Sequence, residues 1–196
     1  TGAFTWGSVT QIETDRLAGD PGLVYDPSTQ RLVVLYYCDG MSNPEYSIFS
    51  RVLTLSGNTI SNIGSRTTLW NQDGGSFWGT ELVYDPDNQK IVAVYRRGGG
   101  NNPYSAVGTV TGGSTNTVSW GTPVQITSEN TGMLDATYDP DTNRVLMVTR
   151  GPSNVIDAFV GTVSGTSISW GSAQEVLASN GNYPNICYDT ENQKVV

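Results

Sequence analysis

The sequence has no histidine and only 2 cysteines among its 196 residues. Histidine is the commonest general base near neutral pH and the commonest transition-metal ligand, so most hydrolase and zinc-site patterns are excluded. Cys38 and Cys187 lie far apart, each in or beside an apolar run, which favours two buried thiols over a disulfide. We therefore expect no cofactor and no bound metal.

Positive charge and long apolar runs are also scarce. The chain carries 10 Lys and Arg against 18 Asp and Glu, for a net charge of −8, and its largest basic cluster is Arg96-Arg97. A phosphate backbone would be repelled, so nucleic acid is not an expected partner. No run approaches the roughly 20 apolar residues of a membrane span, and we expect no such span.

Turn-forming and strand-forming residues are abundant instead. The chain has 23 glycines and many Ser, Thr and Asn residues, while Val, Ile, Tyr and Trp recur in short runs. This composition is typical of many short strands joined by tight turns, so the sequence predicts an all-β fold.

The chain repeats itself with a period of 50 to 59 residues, marked by the dipeptide Tyr-Asp. A polar turn comes after each copy, as DPSTQR, DPDNQK, DPDTNR and DTENQK. A second marker, Trp-Gly, occurs at Trp6, Trp120 and Trp170, and Ile63-Gly64 takes its place in one unit. The Tyr-Asp copies begin at Tyr25, Tyr84, Tyr138 and Tyr188.

Each unit is interpreted as four short antiparallel strands, the first ending at Tyr-Asp and the fourth carrying Trp-Gly. Four strands per unit of about 50 residues predict the blades of a β-propeller, whereas a β-sandwich would not need the same markers in every group of four. Because blades stack on both faces, the apolar residues of the second strands should be nearly all buried. These are Val33, Leu35, Val92, Val94, Val145 and Met147.

The units divide one repeat domain, residues 1–196, into a terminal strand, three complete units and a final partial unit. The terminal strand and the partial unit together make one unit split between the chain ends, so Thr1–Ile12 and Asn185–Val196 should lie close together or each pair with another chain. Four-bladed closure, a fragment of a longer propeller and self-association remain open. The approximate bounds are 1–16, 17–70, 71–127, 128–177 and 178–196.

Antiparallel order sorts the loops onto two ends of the molecule. One end, the turn end, carries the repeated Asp-Pro turns, and their aspartates are explained as turn starts. The opposite end carries long loops that differ between units, and we call it the varied end. Binding residues are expected there, because loops on a rigid frame carry function. Its unrepeated carboxylates, interpreted mainly as solvated loop charges, could form a catalytic pair or a cation site: Asp39, Glu45, Asp73, Glu81 and Asp135.

Aromatic residues single out one loop of the varied end. Trp6, Trp120 and Trp170 recur in register and are interpreted as packing between units, but the aromatics of the 70–78 loop do not recur. Such residues stack on sugars, although a loop that packs on its own unit would have the same composition. We predict no catalytic residue, and a candidate ligand site at Trp70, Phe77, Trp78, Arg97, Asn101, Asn102, Asp135 and Tyr183.

The units YDPDTNRVLMVTR and VGTVSGTSISWGSAQEV resemble the β-rich repeats of phage and marine-metagenome virion proteins, particularly tail-fibre and spike-like products. The resemblance covers nearly the whole chain. It implies a virion or extracellular location, no enzyme activity and a structural or adhesive surface role. A lectin-type propeller that binds a surface glycan is the alternative, and a glycoside hydrolase on the same scaffold ranks third.

Overall fold

The computed structural model describes residues 5–14, 18–39, 46–72, 79–97 and 100–196. Within them the regular structure is strand, apart from one 3-10 turn at Pro152–Asn154. No helix in this part of the chain is long and apolar enough to cross a membrane.

Two similar five-stranded antiparallel sheets lie within residues 18–125. The first sheet comprises β1 (Ala18–Asp26), β2 (Arg31–Asp39), β3 (Tyr46–Ser56), β4 (Thr59–Ile63) and β5 (Thr67–Gln72). The second comprises β6 (Thr80–Asp85), β7 (Lys90–Arg97), β8 (Asn102–Thr111), β9 (Thr117–Trp120) and β10 (Val124–Gln125).

A third five-stranded sheet and a two-stranded ribbon complete the described structure. The third sheet comprises β11 (Leu134–Asp139), β12 (Arg144–Arg150), β13 (Ile156–Ser164), β14 (Ser167–Trp170) and β15 (Gln174–Leu177). The ribbon pairs β16 (Tyr188–Asp189) with β17 (Lys194–Val195). The predicted all-β class and the antiparallel pairing are confirmed.

The fourth strand of each unit is divided, which the sequence interpretation missed. β4 and β5 both pair with β3, and the later sheets repeat this arrangement at β8 and β13. The break falls at the marker glycine, where the N–H of Gly121 donates to the Val107 carbonyl at 2.8 Å. Gly64 and Gly171 donate to Val52 and Val160 in the same way.

The recurrent aspartates hold the tight turns between first and second strands. The Asp85 carboxylate accepts the N–H groups of Asp87 and Asn88 at 3.0 and 3.1 Å, and Asp26 holds its own turn in the same way. Each turn ends in a residue with left-handed backbone, such as Gln89 at φ 52°. The structural interpretation of these aspartates is confirmed.

Two apolar cores lie between consecutive sheets, one joining the first and second sheets and the other joining the second and third. A third lies on the outer face of the first sheet, where Ile12 packs. Along β7, Ile91 and Tyr95 enter the first core, whereas Val92 and Val94 enter the second. The predicted burial of the second strands is confirmed, because each of the six side chains is 0% exposed: Val33, Leu35, Val92, Val94, Val145 and Met147.

Two recurring tryptophans lock neighbouring sheets together. The indole of Trp120 donates to Ser50 Oγ of the preceding sheet at 3.0 Å, and Trp170 donates to Ser105 Oγ at 2.8 Å. Trp6 is 93% exposed, so the prediction of a packing role is wrong for this residue, which has no sheet beside it in the described structure. The prediction of a buried thiol is likewise wrong for exposed Cys187, and the two cysteines are not bonded to each other.

Residues 5–14 pack against the first sheet. The Tyr36 hydroxyl donates to Glu13 Oε2 at 2.6 Å, and the same oxygen lies 3.4 Å from the Arg51 guanidinium. At the other end of the chain, β16 lies beside β11. Ring closure, blade count and the meeting of the chain ends stay predictions.

Replacing Gly121 with alanine should destabilise the protein, because the new Cβ would lie 2.0 Å from the Thr166 carbonyl oxygen of the next sheet. We expect a loss of about 1 to 3 kcal/mol in the free energy of unfolding, measured by denaturant titration. Gly171 is the matched control, since a Cβ there meets nothing nearer than 3.7 Å. Gly171→Ala should change stability by less than about 0.5 kcal/mol.

An equal loss in both variants would show that a further unit packs on Gly171 in solution.

Candidate functional site

The first strands of the units lie side by side. β1 contacts β6, β6 contacts β11, and β11 contacts β16. Each first strand begins at the varied end, where three carboxylate residues lie at or near the strand starts: Asp20 on β1, Glu81 on β6 and Asp135 on β11.

A cavity of about 590 Å³ opens between these strand starts, and we call it the carboxylate cavity. Asp20 Oδ2 accepts the Gly79 N–H at 3.1 Å, and the Thr80 hydroxyl donates to the Asp20 carbonyl. These two hydrogen bonds connect the first unit to the second at the cavity. Its lining residues are Asp20, Pro21, Gly79, Thr80, Glu81, Arg96, Met133, Leu134 and Tyr183.

Asp135 follows Leu134, which lines the cavity, and both of its carboxylate oxygens accept hydrogen bonds. Oδ1 accepts the N–H of Ala136 at 2.8 Å, and Oδ2 accepts the N–H of Ile186 at 2.8 Å. Two amide donors fix the position of the carboxylate. The Ile186 bond also ties the last unit to the third.

Glu81 has an unusual electrostatic environment. It is half-buried, and burial raises the pKa of its carboxyl to about 7, with the negative charges of Asp135 and Asp20 acting in the same direction. A carboxylic acid that keeps its proton near neutral pH can serve as a proton donor. Within the described residues, the three carboxylates do not form a group that could hold a metal ion.

A second cavity of about 460 Å³ adjoins the first, and Arg96 and Met133 line both. It contains two arginines, and we call it the arginine cavity. Arg150 is the last residue of β12, and Arg96 is the last but one of β7. Both therefore lie at the varied end. Its lining residues are Arg96, Asn101, Asn130, Thr131, Gly132, Met133, Arg150, Gly151, Pro152 and Asn154.

Left-handed backbone occurs at the cavities as well as at the ends of the Asp turns. Four residues with left-handed φ line a cavity: Asp20 (42°), Asn101 (52°), Asn154 (61°) and Tyr183 (49°). Outside glycine, such a conformation costs on the order of 1 kcal/mol per residue.

Two of the predicted ligand residues line these cavities, and a third, Asp135, follows the lining residue Leu134 and acts electrostatically on Glu81. Tyr183 lines the carboxylate cavity with 65% of its surface exposed. Asn101 lines the arginine cavity, and its carbonyl accepts the Thr131 N–H at 3.1 Å.

The other predicted ligand residues do not line these cavities. The Arg97 guanidinium stacks 3.5 Å from the ring centroid of Trp70, which is half-buried against the first core. The Asn102 amide donates to the Ser128 and Glu129 carbonyls and so holds the 128–130 loop. Phe77 and Trp78 lie outside the described residues, as do Glu45 and Asp73.

The sequence interpretation left Glu81 among the solvated loop charges and did not single out Asp20 or Arg150. A signal for Glu81 was present, because the fourth residue before each repeated Asp is Gly22, Glu81, Asp135 or Asn185. Because this position differs between units whose first strands are otherwise similar, the fold does not require a particular side chain there.

Comparisons with solved structures show proteins of similar fold. An exo-β-1,3-galactanase from Phanerochaete chrysosporium, solved with β-1,3-galactotriose, matches 88% of this chain at 9% identity and a TM-score of 0.50. An N-acetylgalactosamine deacetylase from F. plautii, solved with blood group B trisaccharide, matches 88% at 11% identity and a TM-score of 0.52. The matches cover 39% and 58% of those proteins, so this chain spans less than two thirds of either.

No protein-family model matches the chain, and no curated protein matches it. From the sequence we expected no enzyme activity, on the ground that repeats of this kind form surface structures. The solved structures of similar fold contradict this expectation. The galactanase and the deacetylase are both enzymes. The resemblance to virion proteins, and the location that it implies, stay predictions.

The raised pKa of Glu81 should make stability fall as the pH rises. The folded state binds this proton more tightly than the unfolded state, whose Glu has its ordinary pKa of 4.5. The stabilisation is therefore complete below 4.5 and is lost as the pH rises through about 7. Thermal midpoints of the wild type and Glu81→Gln, measured from about pH 4 to about pH 8, should show the wild type losing stability relative to the variant.

Exposed Glu175 gives the control, because Glu175→Gln removes the same charge from a solvated strand. A wild-type curve parallel to that of Glu81→Gln would contradict the shifted pKa.

Proposed function

We propose that this chain is a carbohydrate-active domain that binds a glycan in the carboxylate cavity and hydrolyses a glycosidic bond there. One observation carries the proposal: adjacent first strands bring Asp20 and Glu81 to a single cavity, with the charge of Asp135 acting on Glu81. Pairs of carboxyl groups are the usual machinery of glycoside hydrolysis. The galactanase and the deacetylase of similar fold, both solved with oligosaccharides, support a carbohydrate ligand.

The cavity suits a sugar in size and lining. Its volume of about 590 Å³ is within the range of small-molecule sites. Tyr183 provides an exposed aromatic ring of the kind that packs against the apolar face of a sugar. The carboxylate oxygens accept hydrogen bonds from sugar hydroxyls.

The environments of the three carboxyl groups suggest different roles. Glu81 donates its proton to the glycosidic oxygen as the bond from that oxygen to the anomeric carbon breaks. Asp20 lines the cavity and takes a proton from the water that attacks the anomeric carbon. Asp135, held by two amide groups, is a positioning residue whose charge keeps the proton on Glu81.

We also infer that the repeated sheets are blades of a β-propeller. Their first strands lie side by side, and their faces stack on one another through shared cores, as propeller blades do. The site then lies where the inner strands of three blades begin.

Glu81→Gln should abolish cleavage and leave glycan binding intact, because the amide keeps the shape of the side chain but has no acidic proton to donate. We expect cleavage to fall by about 10² to 10⁴-fold, the usual contribution of a general acid. Reducing-end release from a panel of neutral and acidic oligosaccharides measures cleavage, and titration calorimetry measures binding. Glu175→Gln should cleave at the wild-type rate.

Binding without cleavage by the wild type would leave a lectin-type function, whereas cleavage unchanged by Glu81→Gln would refute the assigned role.

Tyr183→Ala should weaken glycan binding by about 5 to 50-fold, the range for loss of one stacking aromatic, with little change in stability. Titration calorimetry measures the first and thermal unfolding the second. The stability should hold because the ring is 65% exposed. Trp120→Ala, which removes a half-buried ring that packs on the first core, should instead lower the melting temperature. Unchanged affinity in Tyr183→Ala would exclude the ring as a sugar contact.

A further inference from the structure

We infer that the glycan is acidic, and that the arginine cavity binds a carboxylate or sulfate group carried by a sugar next to the one in the carboxylate cavity. The inference rests on the proposed function and names its substrate class. Its basis is the juxtaposition of Arg96 and Arg150 in one cavity that adjoins the carboxylates.

The two arginines reach the cavity from equivalent positions in successive units. Each lies six residues after the basic residue that begins its second strand, Lys90 or Arg144, and Tyr37 has this position in the first unit. Only the second and third units therefore bring a cation to this position. Burial and the charge of Arg150 lower the pKa of Arg96, while Asp20 acts in the opposite direction. Guanidinium groups stay charged in proteins, so the cavity contains two positive charges.

Arg150 is held in place with part of its hydrogen-bonding capacity unused. Its Nη1 donates to Asn182 Oδ1 at 3.0 Å, and it packs so closely on Gly132 that a Cβ there would lie 2.6 Å from Nε. Among the described residues it forms no ion pair. A guanidinium has five N–H donors in a fixed fork, which matches the two oxygens of a carboxylate or sulfate.

Two acidic residues near the neighbouring Gly151 form no ion pair with this cation in the described structure. The carboxylates of Asp157 and Glu129 lie near Gly151, but neither lines the cavity. Neither forms a salt bridge with Arg150 in the described structure. An anionic substituent can therefore bind Arg150 without displacing a carboxylate.

The two cavities together have a charge pattern that a neutral glycan does not need. One contains Asp20 and Glu81, the other contains Arg150, and Arg96 lines both. A sugar with only hydroxyl groups would bind at the first cavity and offer Arg150 no anionic partner at the second. A polyanion such as a nucleic acid would be repelled by the net charge of −8. A glycan with an anionic group on the neighbouring sugar matches both cavities.

The test measures binding of three oligosaccharides of equal length: a neutral galactan, the same galactan with one uronic-acid residue, and the same galactan with one sulfate group. Titration calorimetry should give an affinity at least about 10-fold higher for one of the two acidic oligomers than for the neutral one, as expected for a charged hydrogen-bonded pair. The advantage should shrink with added salt. The stronger of the two acidic ligands identifies the group as carboxylate or sulfate.

Arg150→Gln should remove this advantage, lowering affinity for the preferred acidic oligomer by about 10-fold or more and leaving the neutral one unchanged. Arg144→Gln is the matched control, because Arg144 begins the same strand, β12, and donates only to the turn carbonyls of Thr142 and Asn143 in the described structure. It removes the same charge at the turn end and should change neither affinity by more than about twofold. Arg150→Lys should keep part of the advantage.

Equal affinity for neutral and acidic oligomers in the wild type would overturn this inference, as would an advantage that survives Arg150→Gln. If the neutral oligomer alone binds and is cleaved in a Glu81-dependent way, the proposed function stands and only the acidic preference fails. If no oligosaccharide binds, the proposed function fails as well. Should Arg150→Gln unfold, the salt dependence of wild-type affinity decides, because a neutral-sugar site would show none.

Discussion

The burial of the second sheet on both faces is the constraint on which the rest of the structure depends. Successive side chains of β7 alternate between the two cores, with Ile91 and Tyr95 on one side and Val92 and Val94 on the other. A strand that is apolar on both faces needs cover on each side, which one unit alone does not provide. The fold is therefore a stack whose spacing is set by side-chain packing and by close contacts at the marker glycines, such as Gly121 on Thr166.

The carboxylate cavity is a consequence of this stacking. The first strands must lie side by side, and the approach of β1 to β6 leaves no room for a side chain at Gly22, whose Cβ would lie 2.9 Å from the Thr80 carbonyl oxygen. The first unit therefore cannot contribute a carboxylate at the position used by Glu81 and Asp135. Its acid comes instead from Asp20, beside a register shift between Gly19 and Gly22. The left-handed backbone of Asp20, at φ 42°, is consistent with a side chain that reaches the cavity from a different position in the strand.

The sequence predicted the features that arise from local pattern and repetition, namely strands, Asp turns, buried second strands and a varied end. It failed where the outcome depends on a neighbour. In the described structure Trp6 repeats the motif of Trp120 but has no preceding sheet with a serine acceptor, and Cys187 lies exposed in an apolar run beside the last ribbon. Asp20 and Arg150 are 130 residues apart in sequence, and only the stacking of three units brings them to adjoining cavities. No local pattern contains that information.

Within each unit, the middle and the two ends of the strands are under different constraints, so a regular fold can still have a variable site. Packing fixes the middle of every strand, where the side chains enter the cores, and the Asp turns fix one end. The varied end has neither constraint, so the fourth residue before each repeated Asp and the last residues of the second strands can differ between units. In the second and third units these positions hold Glu81 with Arg96 and Asp135 with Arg150. An acidic protein thus has two arginines in one cavity, beside the cavity lined by the carboxyl group whose pKa is raised to about 7.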